Sequence, residues 1–542
     1  MAVGLGAPTR ARAGKGAGLN TRARFTLWLL LAAAACALYL GVSQLRVGRS
    51  GFPLDDAWIH LTFARNLALR HELAHIPGQL SAGSTSPLWT FVLAPAFLWP
   101  LGVEAWVDAL GVLLIVSAAA LTYRIARQVF GDAASPLSPP LSQVWERGWG
   151  VRGEGLGGEA ALVVALEWHL DWAAFSGMET LFFIVLLLLA LDFYYTGRPL
   201  WWVGLAGGLA VITRPEGVGI LGLIAVHWLM TQALPRKEAW KAQLKRAGAA
   251  AIAFAIPIVP YIQFNWAVSG QLFPNTFYAK QAEFAQVFAA RSVPQHFLNL
   301  ITVPFVGAQV LLIPGFALAV WLIAREKRWN AAILLGWWLM LPAAYAIRLP
   351  VDYQHGRYEM PVIPMIVIVG LWGTHRLQTR LPPIQVGGLR AGAARRVLSR
   401  VWRISFPLLL VVFWLRGAQA FATDVDIMDC MAVQTAQWLS AHTQPDDLIA
   451  VHDVGAVGYY LNGRPLLDLA GLITPEVIPF IRDESRLMDF IVARRAVYLV
   501  TSAFWHPAMI NSPRVQEVHH QDCPVLRREG GYEMGIYRVL GR

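Results

Sequence analysis

Residues 53–67 read PLDDAWIHLTFARNL, and this stretch decides how the rest of the chain is understood. Two adjacent carboxylates, Asp55 and Asp56, stand at the start of a helical pattern. Ile59, Phe63 and Leu67 recur every fourth residue, while Arg65, Asn66 and Arg70 fall on another face. That spacing predicts an amphipathic helix lying along a membrane surface. Acids at a helix start are favoured by the macrodipole, so capping accounts for one of them. Paired carboxylates at such a boundary also suit a general base that accepts a proton from a sugar hydroxyl.

The surrounding sequence is strongly apolar. Of 542 residues, 56% are hydrophobic and 15% charged, with 23 Trp and 25 Phe. A soluble domain carries about a quarter charged residues. The composition excludes a soluble globular enzyme, a disordered chain, a coiled coil and a disulfide scaffold, and it leaves a polytopic α-helical membrane protein. A net charge of +11 would suggest nucleic acid in a soluble protein. In a membrane protein it is first a signal of sidedness, so no nucleic-acid partner is expected.

A spanning helix needs about 20 apolar residues. The first such run, 25–42, follows Arg10, Arg12, Lys15, Arg22 and Arg24 and reads as an uncleaved anchor behind a cytoplasmic basic tail, 1–24. The run Pro87–Leu101 is short and interrupted by Pro95 and Pro100. If it spans, the basic loops after Thr231 and Gly373 become external. Read as interfacial or re-entrant, it leaves every basic loop cytoplasmic, including Arg376–Arg403 with its seven arginines and no acid. The second reading is adopted.

Further spans at 105–123, 160–176, 179–195, 200–213, 217–231, 248–267, 301–324, 330–347, 361–374 and 404–421 bring the total to about eleven. They place a transmembrane domain over 25–421, with a first external loop at 43–104. Residues 132–158 are Pro/Gly-rich without periodicity and read as a disordered cytoplasmic insertion. From Asp424 onward 15 acids face 10 bases. Strand-like runs appear there at Leu448–His452, Pro465–Leu469, Ala496–Thr501 and Gly535–Leu540, with a helical pattern at Met431–Ala441. These predict a soluble extracytoplasmic α/β domain over 422–542. Cys430 and Cys523 share it and either pair or remain thiols.

With this topology six polar clusters fall on the outer side: Asp55-Asp56, Ser81–Ser86, Ser176–Thr180, Thr213–Gly217, Pro274–Lys280 and Tyr353–Pro361. One by one they are ordinary helix ends; together they suggest a common cavity. The outer cations Arg214, Lys280, His355 and Arg357 sit near span ends, at the level of lipid headgroups, where a lipid phosphate needs them. Interfacial snorkelling is the alternative for Lys280. Glu179 and Glu216 either pair with these bases or shape an acceptor site. No phosphate-binding glycine loop and no His/Cys cluster with zinc spacing is present, so no metal site is assigned. His519-His520 reads as a surface pair.

The segment Pro53–Leu67, followed by Gly83–Trp89 (GSTSPLW), resembles the first external loop of GT-C-fold membrane glycosyltransferases that use polyprenyl-phosphate-linked sugars. More narrowly, the chain is similar to the terminal arabinofuranosyltransferase-like group. SGMET, TRPEG, PNTFYAK, HGRYEMP and Val451–Leu472 look like that group's blocks in the same order. The resemblance implies a multi-pass protein of a bacterial plasma (inner) membrane. It implies an inverting transfer from a polyprenyl-phosphate sugar to a cell-envelope glycan, lipid or other acceptor on the extracytoplasmic face.

Carried over, Asp55 is the first choice for the base, with Asp56 its alternate. Arg357 and His355 would hold the leaving phosphate, helped by Lys280 and Arg214. Glu179 and Glu216 would shape the acceptor site, and PNTFYAK contributes Asn275 and Tyr278. Asp-Asp stands where the protein O-mannosyltransferases have Asp-Glu, which argues against a protein acceptor. In the C-terminal domain Asp453 and Tyr459 are exposed candidates for glycan contact. The competing class is a transporter or flippase of lipid-linked sugars. It predicts internal repeats and polar groups distributed across the bilayer, and neither is evident.

Overall fold

The computed structural model describes residues 21–49, 51–131, 155–235, 240–380 and 391–540. The basic tail before Thr21, most of the 132–158 stretch and the centre of the Arg376–Arg403 stretch lie outside the described residues. Among the described residues, seven helices are long and apolar enough to cross a membrane: Thr21–Val47, Val103–Phe130, Trp240–Ser269, Ala308–Arg325, Trp329–Arg348, Tyr353–Gln378 and one running from Ser399 to His442. The pair Trp168–Phe175 and Thr180–Tyr195 is bent by 116° at the SGMET cluster, the geometry of a broken span or a re-entrant loop.

The remaining apolar segments are short. Residues 160–176, expected as one span, divide into Gly155–Val164 and Trp168–Phe175, where Glu167 caps the second helix by accepting from the Leu170 amide. Leu200–Val211 has 12 residues, about 18 Å of helix, and cannot cross a ~30 Å core alone. Pro87–Leu93 continues into a single 3-10 turn ending at Phe97, with Trp89, Thr90 and Leu93 buried. At that length it is too short to cross a ~30 Å core alone.

Gly204 and Gly208 set a close helix contact. A Cβ at Gly204 would stand 2.1 Å from the Ala250 carbonyl oxygen, and one at Gly208 would stand 2.5 Å from that of Phe254. Two small residues four apart let Leu200–Val211 lie directly on Trp240–Ser269.

The helix Asp55–Arg70 has the predicted bounds at its start, but it is not half-exposed on a surface. Trp58, Leu61, Phe63 and Ala64 are all buried. One side packs into the helical body, with Trp58, Leu61 and Ala64 in its core, and the C-terminal domain covers Ile59 and Phe63. There β3 (Ile449–Val451), β4 (Leu466–Asp468), β5 (Tyr498–Ser502), β6 (Val515–His520) and β7 (Met534–Val539) form one sheet; β1 (Ala74–Ile76) and β2 (Gln79–Leu80) make a small hairpin elsewhere.

The sheet order is β4-β3-β5-β7-β6, with β3 parallel to β4 and β5, and β7 antiparallel to both neighbours. All four strand-like runs are strands. β6 was not anticipated because its sequence, VQEVHH, is polar and it lies on an edge. The helix Val454–Leu461 packs on Asp55–Arg70: Trp58 lies 4.9 Å from Tyr459 and 5.2 Å from Tyr460, ring to ring. Cys430 and Cys523 are joined in a disulfide.

Candidate active site

Asp55 and Asp56 open their helix side by side, so their side chains leave it about 100° apart. Asp55 turns to the C-terminal domain. Its Oδ2 accepts the Gly455 amide at 2.7 Å and its Oδ1 the Ala456 amide at 2.8 Å, which caps the helix Val454–Leu461. Burial and the nearby Asp453 push its carboxyl up to about 7 against the two amide bonds. Asp56 turns the other way, into a cavity of about 330 Å³.

All six polar clusters line that cavity: Asp56; Gly83–Ser86; Met178 and Glu179; Thr213–Glu216; Pro274, Thr276, Phe277 and Lys280; Arg357 and Tyr358. The Ser81–Ser86 segment ties them together through backbone. Asn275 N donates to Ala82 O, Thr276 Oγ1 to Gly83 O, and Tyr261 Oη to Ser84 O, while Ser86 Oγ donates to Thr213 O. Of the loop's own hydroxyls, Ser86 satisfies a carbonyl left free at a helix end, Ser81 Oγ accepts the Gly83 amide and Ser84 Oγ pairs with Thr90 Oγ1.

The cavity's chemistry centres on Arg357, which is buried at 2% exposure. Its Nη2 donates to Asp56 Oδ2 at 3.0 Å and to Tyr358 Oη at 3.2 Å. Its Nε and Nη1 have no hydrogen-bond partner among the described residues. Lys280 Nζ donates to the same Tyr358 hydroxyl at 3.2 Å and lies 3.9 Å from Asp56 Oδ2. Burial alone would raise the Asp56 carboxyl; Lys280 and Arg357 outweigh it and hold the group at about 2.

Arg214 is a framework cation. It donates to Glu216 Oε1 at 3.0 Å and Tyr345 Oη at 2.7 Å, and its Nη1 reaches Glu179 Oε1 at 3.5 Å. His60 Nε2 stands 3.2 Å from the other Glu179 oxygen. Three cations surround Tyr358, with Arg214, Arg357 and Lys280 lying 5.0, 5.1 and 5.9 Å from its ring centre. Unpaired guanidinium donors next to a lysine and an acid that is ionised are equipped to take a phosphate and to receive a proton.

Of the residues singled out in the sequence, Asp56, Lys280, Arg357, Arg214, Glu179 and Glu216 come together here. His355 does not. Gln354, His355 and Gly356 all adopt positive φ (57°, 56° and 67°), a left-handed turn that swings the imidazole to Asp424, 2.7 Å away, between Trp168 and Trp172. Asn275 acts from behind the wall, donating to Leu472 O at 3.0 Å, and Tyr278 packs edge-on against Phe277.

Tyr459 is not an exposed contact residue: it lies between Trp58 and Arg65, and the guanidinium of Arg65 sits 4.8 Å above its ring. Asp453 lines a second cavity. Sequence reasoning missed His60, Tyr345 and Tyr358. Tyr358 follows Arg357 directly in HGRYEMP, and that adjacency was the available signal; nothing marked Tyr345 within its apolar run. Among the described residues no group of three or more His, Cys, Asp or Glu side chains is arranged to hold a metal ion.

A helical body that holds a cavity lined by buried charged side chains, followed by a C-terminal α/β region, has a GT-C-like fold. The particular likeness is to ArnT from Cupriavidus metallidurans, solved bound to undecaprenyl phosphate. It superposes with a TM-score of 0.56 at 14% identity over 95% of this chain and 99% of that one. An Archaeoglobus fulgidus oligosaccharyltransferase in the apo form gives 0.48 at 12% identity, covering 88% of this chain and 69% of that one. The mycobacterial arabinofuranosyltransferase AftD gives 0.45 at 17% identity, covering 97% and 42%. Residues 421–537 match a family described as a domain of unknown function (DUF8728). No curated protein matches the chain by sequence.

Proposed function

We propose that the protein is an inverting membrane glycosyltransferase. In this reading it moves a sugar from a polyprenyl-phosphate donor to a cell-envelope glycan, lipid or other acceptor on the extracytoplasmic face. The observation that carries the reading is the buried Arg357, with two donor nitrogens that have no partner among the described residues, beside Lys280 and Asp56 on a cavity built from six separated clusters. The likeness in fold to a structure bound to undecaprenyl phosphate supports the same donor class.

The donor phosphate binds Arg357 and Lys280, with Tyr358 between them. In doing so it neutralises the two cations that hold Asp56 down, so the carboxylate is released and becomes more basic as the donor arrives. Asp56 then takes the proton of the acceptor hydroxyl. That oxygen attacks the anomeric carbon from the face opposite the phosphate, the anomeric carbon–oxygen bond breaks, and its electron pair leaves on polyprenyl phosphate. Arg357 and Lys280 stabilise the charge gained by the leaving group. Arg214, held by Glu179, Glu216 and Tyr345, fixes the ring of Tyr358 and the cavity floor. Asp55, occupied by two amides, anchors the C-terminal domain and is second to Asp56 as base.

The test is purified protein in nanodiscs given a panel of polyprenyl-phosphate sugars and extracted envelope acceptors. Release of polyprenyl phosphate with formation of a glycosylated acceptor is expected. Labelled lipid-sugar crossing a liposome bilayer with no donor consumed would contradict the reading and favour a transporter.

A further inference from the structure

The second cavity, about 550 Å³, lies between the helical body and the C-terminal domain. It shares Asp56, Ile59, Lys280 and Leu472 with the first, so the two meet at the proposed base. Its outer wall is aromatic. Phe504 and Tyr532 are 63% and 55% exposed, their rings 6.1 Å apart, and Trp505 stands edge-on to Phe504 at 4.8 Å. Trp505 is backed by the His452 ring, stacked at 4.0 Å. Rings held open to solvent at a polar cavity offer flat apolar faces, and the C–H face of a sugar ring matches them.

The polar lining is predominantly acidic. Asp55, Glu283 and Asp453 contribute carboxylates. His452 bridges two of them, with Nδ1 at 3.1 Å from Asp453 Oδ1 and Nε2 at 2.9 Å from Glu283 Oε1. The second oxygen of each has no hydrogen-bond partner among the described residues. Burial opposes a charged His452, but the two carboxylates more than offset it and raise the imidazole to about 10. Against the two cations, His452 and the shared Lys280, the lining sets four acids, Asp55, Asp56, Glu283 and Asp453, and is net negative. Such a surface accepts hydroxyl donors and repels phosphate or uronate.

The geometry points to this second cavity as the acceptor site. It takes an uncharged saccharide, stacked on Phe504, Trp505 and Tyr532 and hydrogen-bonded to Asp453 and Glu283, with the reacting hydroxyl delivered to Asp56. The inference rests on the glycosyltransferase reading and adds the acceptor class. It also divides the two cavities by charge: the cations for the donor phosphate, the acids and rings for a neutral glycan.

The experiment uses full-length protein in nanodiscs without donor. Neutral hexose- and pentose-built disaccharides, and their phosphorylated counterparts, are titrated by saturation-transfer NMR. Phe504→Ala/Tyr532→Ala is the variant of choice, because both side chains are exposed and their loss spares the core. Binding of a neutral disaccharide is expected, weakened about tenfold or more by the double variant and by phosphorylation of the sugar.

Failure of every neutral disaccharide to bind, equal binding to the variant, or preference for phosphorylated sugar would overturn the proposal. Polyprenyl phosphate is titrated on the same samples. If wild type binds it while all saccharides fail, only the acceptor assignment falls; if wild type does not bind it, the donor reading falls. A glycolipid carrying the same disaccharide satisfies the proposal equally. Its tighter Kd would assign a lipid-borne acceptor, and matching Kd values a free glycan.

Discussion

Consecutive helical side chains diverge by about 100°, and that angle separates the tasks of Asp55 and Asp56. Asp56→Asn is expected to lower turnover by about 10²–10⁴-fold, the usual contribution of a general base, with donor binding retained. Asp55→Asn keeps the shape but replaces one accepting oxygen by an amide. It should cost about 1–2 kcal/mol of helix capping, read as a lower melting temperature of the C-terminal domain. Arg357→Ala removes charge-assisted bonds to the phosphate and should raise the donor KM about ten- to hundredfold. The types of these residues were legible in the sequence; their partners were not. Arg357 and His355 are two positions apart, yet a left-handed turn sends one to Asp56 and the other to Asp424. No spacing rule encodes that turn: His355 and Gly356 are types found at positive φ, but Gln354, which starts it, carries no such signal.

Among the elements, the helix Val454–Leu461 couples the two halves of the molecule. A Cβ at Gly455 would meet the Asp55 carbonyl oxygen at 2.1 Å, so backbone lies on backbone there. Gly455→Val should therefore separate the two helices, seen as faster proteolysis between the membrane body and the C-terminal domain. The cluster around His452 gives this junction a pH dependence. Its folded pKa, about 10, lies above the ordinary value near 6.5, so its stabilisation is complete below pH ~6.5 and is lost as pH rises toward 10. The melting temperature of wild type should fall across that window, and His452→Gln should flatten the fall. The four anticipated strands were readable because each is an apolar run. β6 escaped because an edge strand with polar residues on both faces carries no periodic signal.

For the whole molecule, the charge pattern groups the polar clusters on one side of the membrane. Six segments assigned to one membrane face from basic loops alone line a single cavity. The span count was less legible. Hydropathy registers apolar length, but a cap at Glu167, the 116° bend at SGMET and 12-residue helices divide apolar runs in ways that composition does not reveal. The sidedness remains testable: a cysteine at Lys327 should resist an impermeant thiol reagent in intact cells, and one at Glu517 should react. The central claim, that Asp56 is the base beside a phosphate held by Arg357 and Lys280, is tested most directly by single-turnover transfer from a polyprenyl-phosphate sugar. Wild type, Asp55→Asn and Asp56→Asn are compared, with the product's anomeric configuration read by NMR. The account predicts an inverted product from wild type and Asp55→Asn, and a rate at least about a hundredfold lower for Asp56→Asn. A retained configuration, or an Asp56→Asn rate equal to that of wild type, would contradict it.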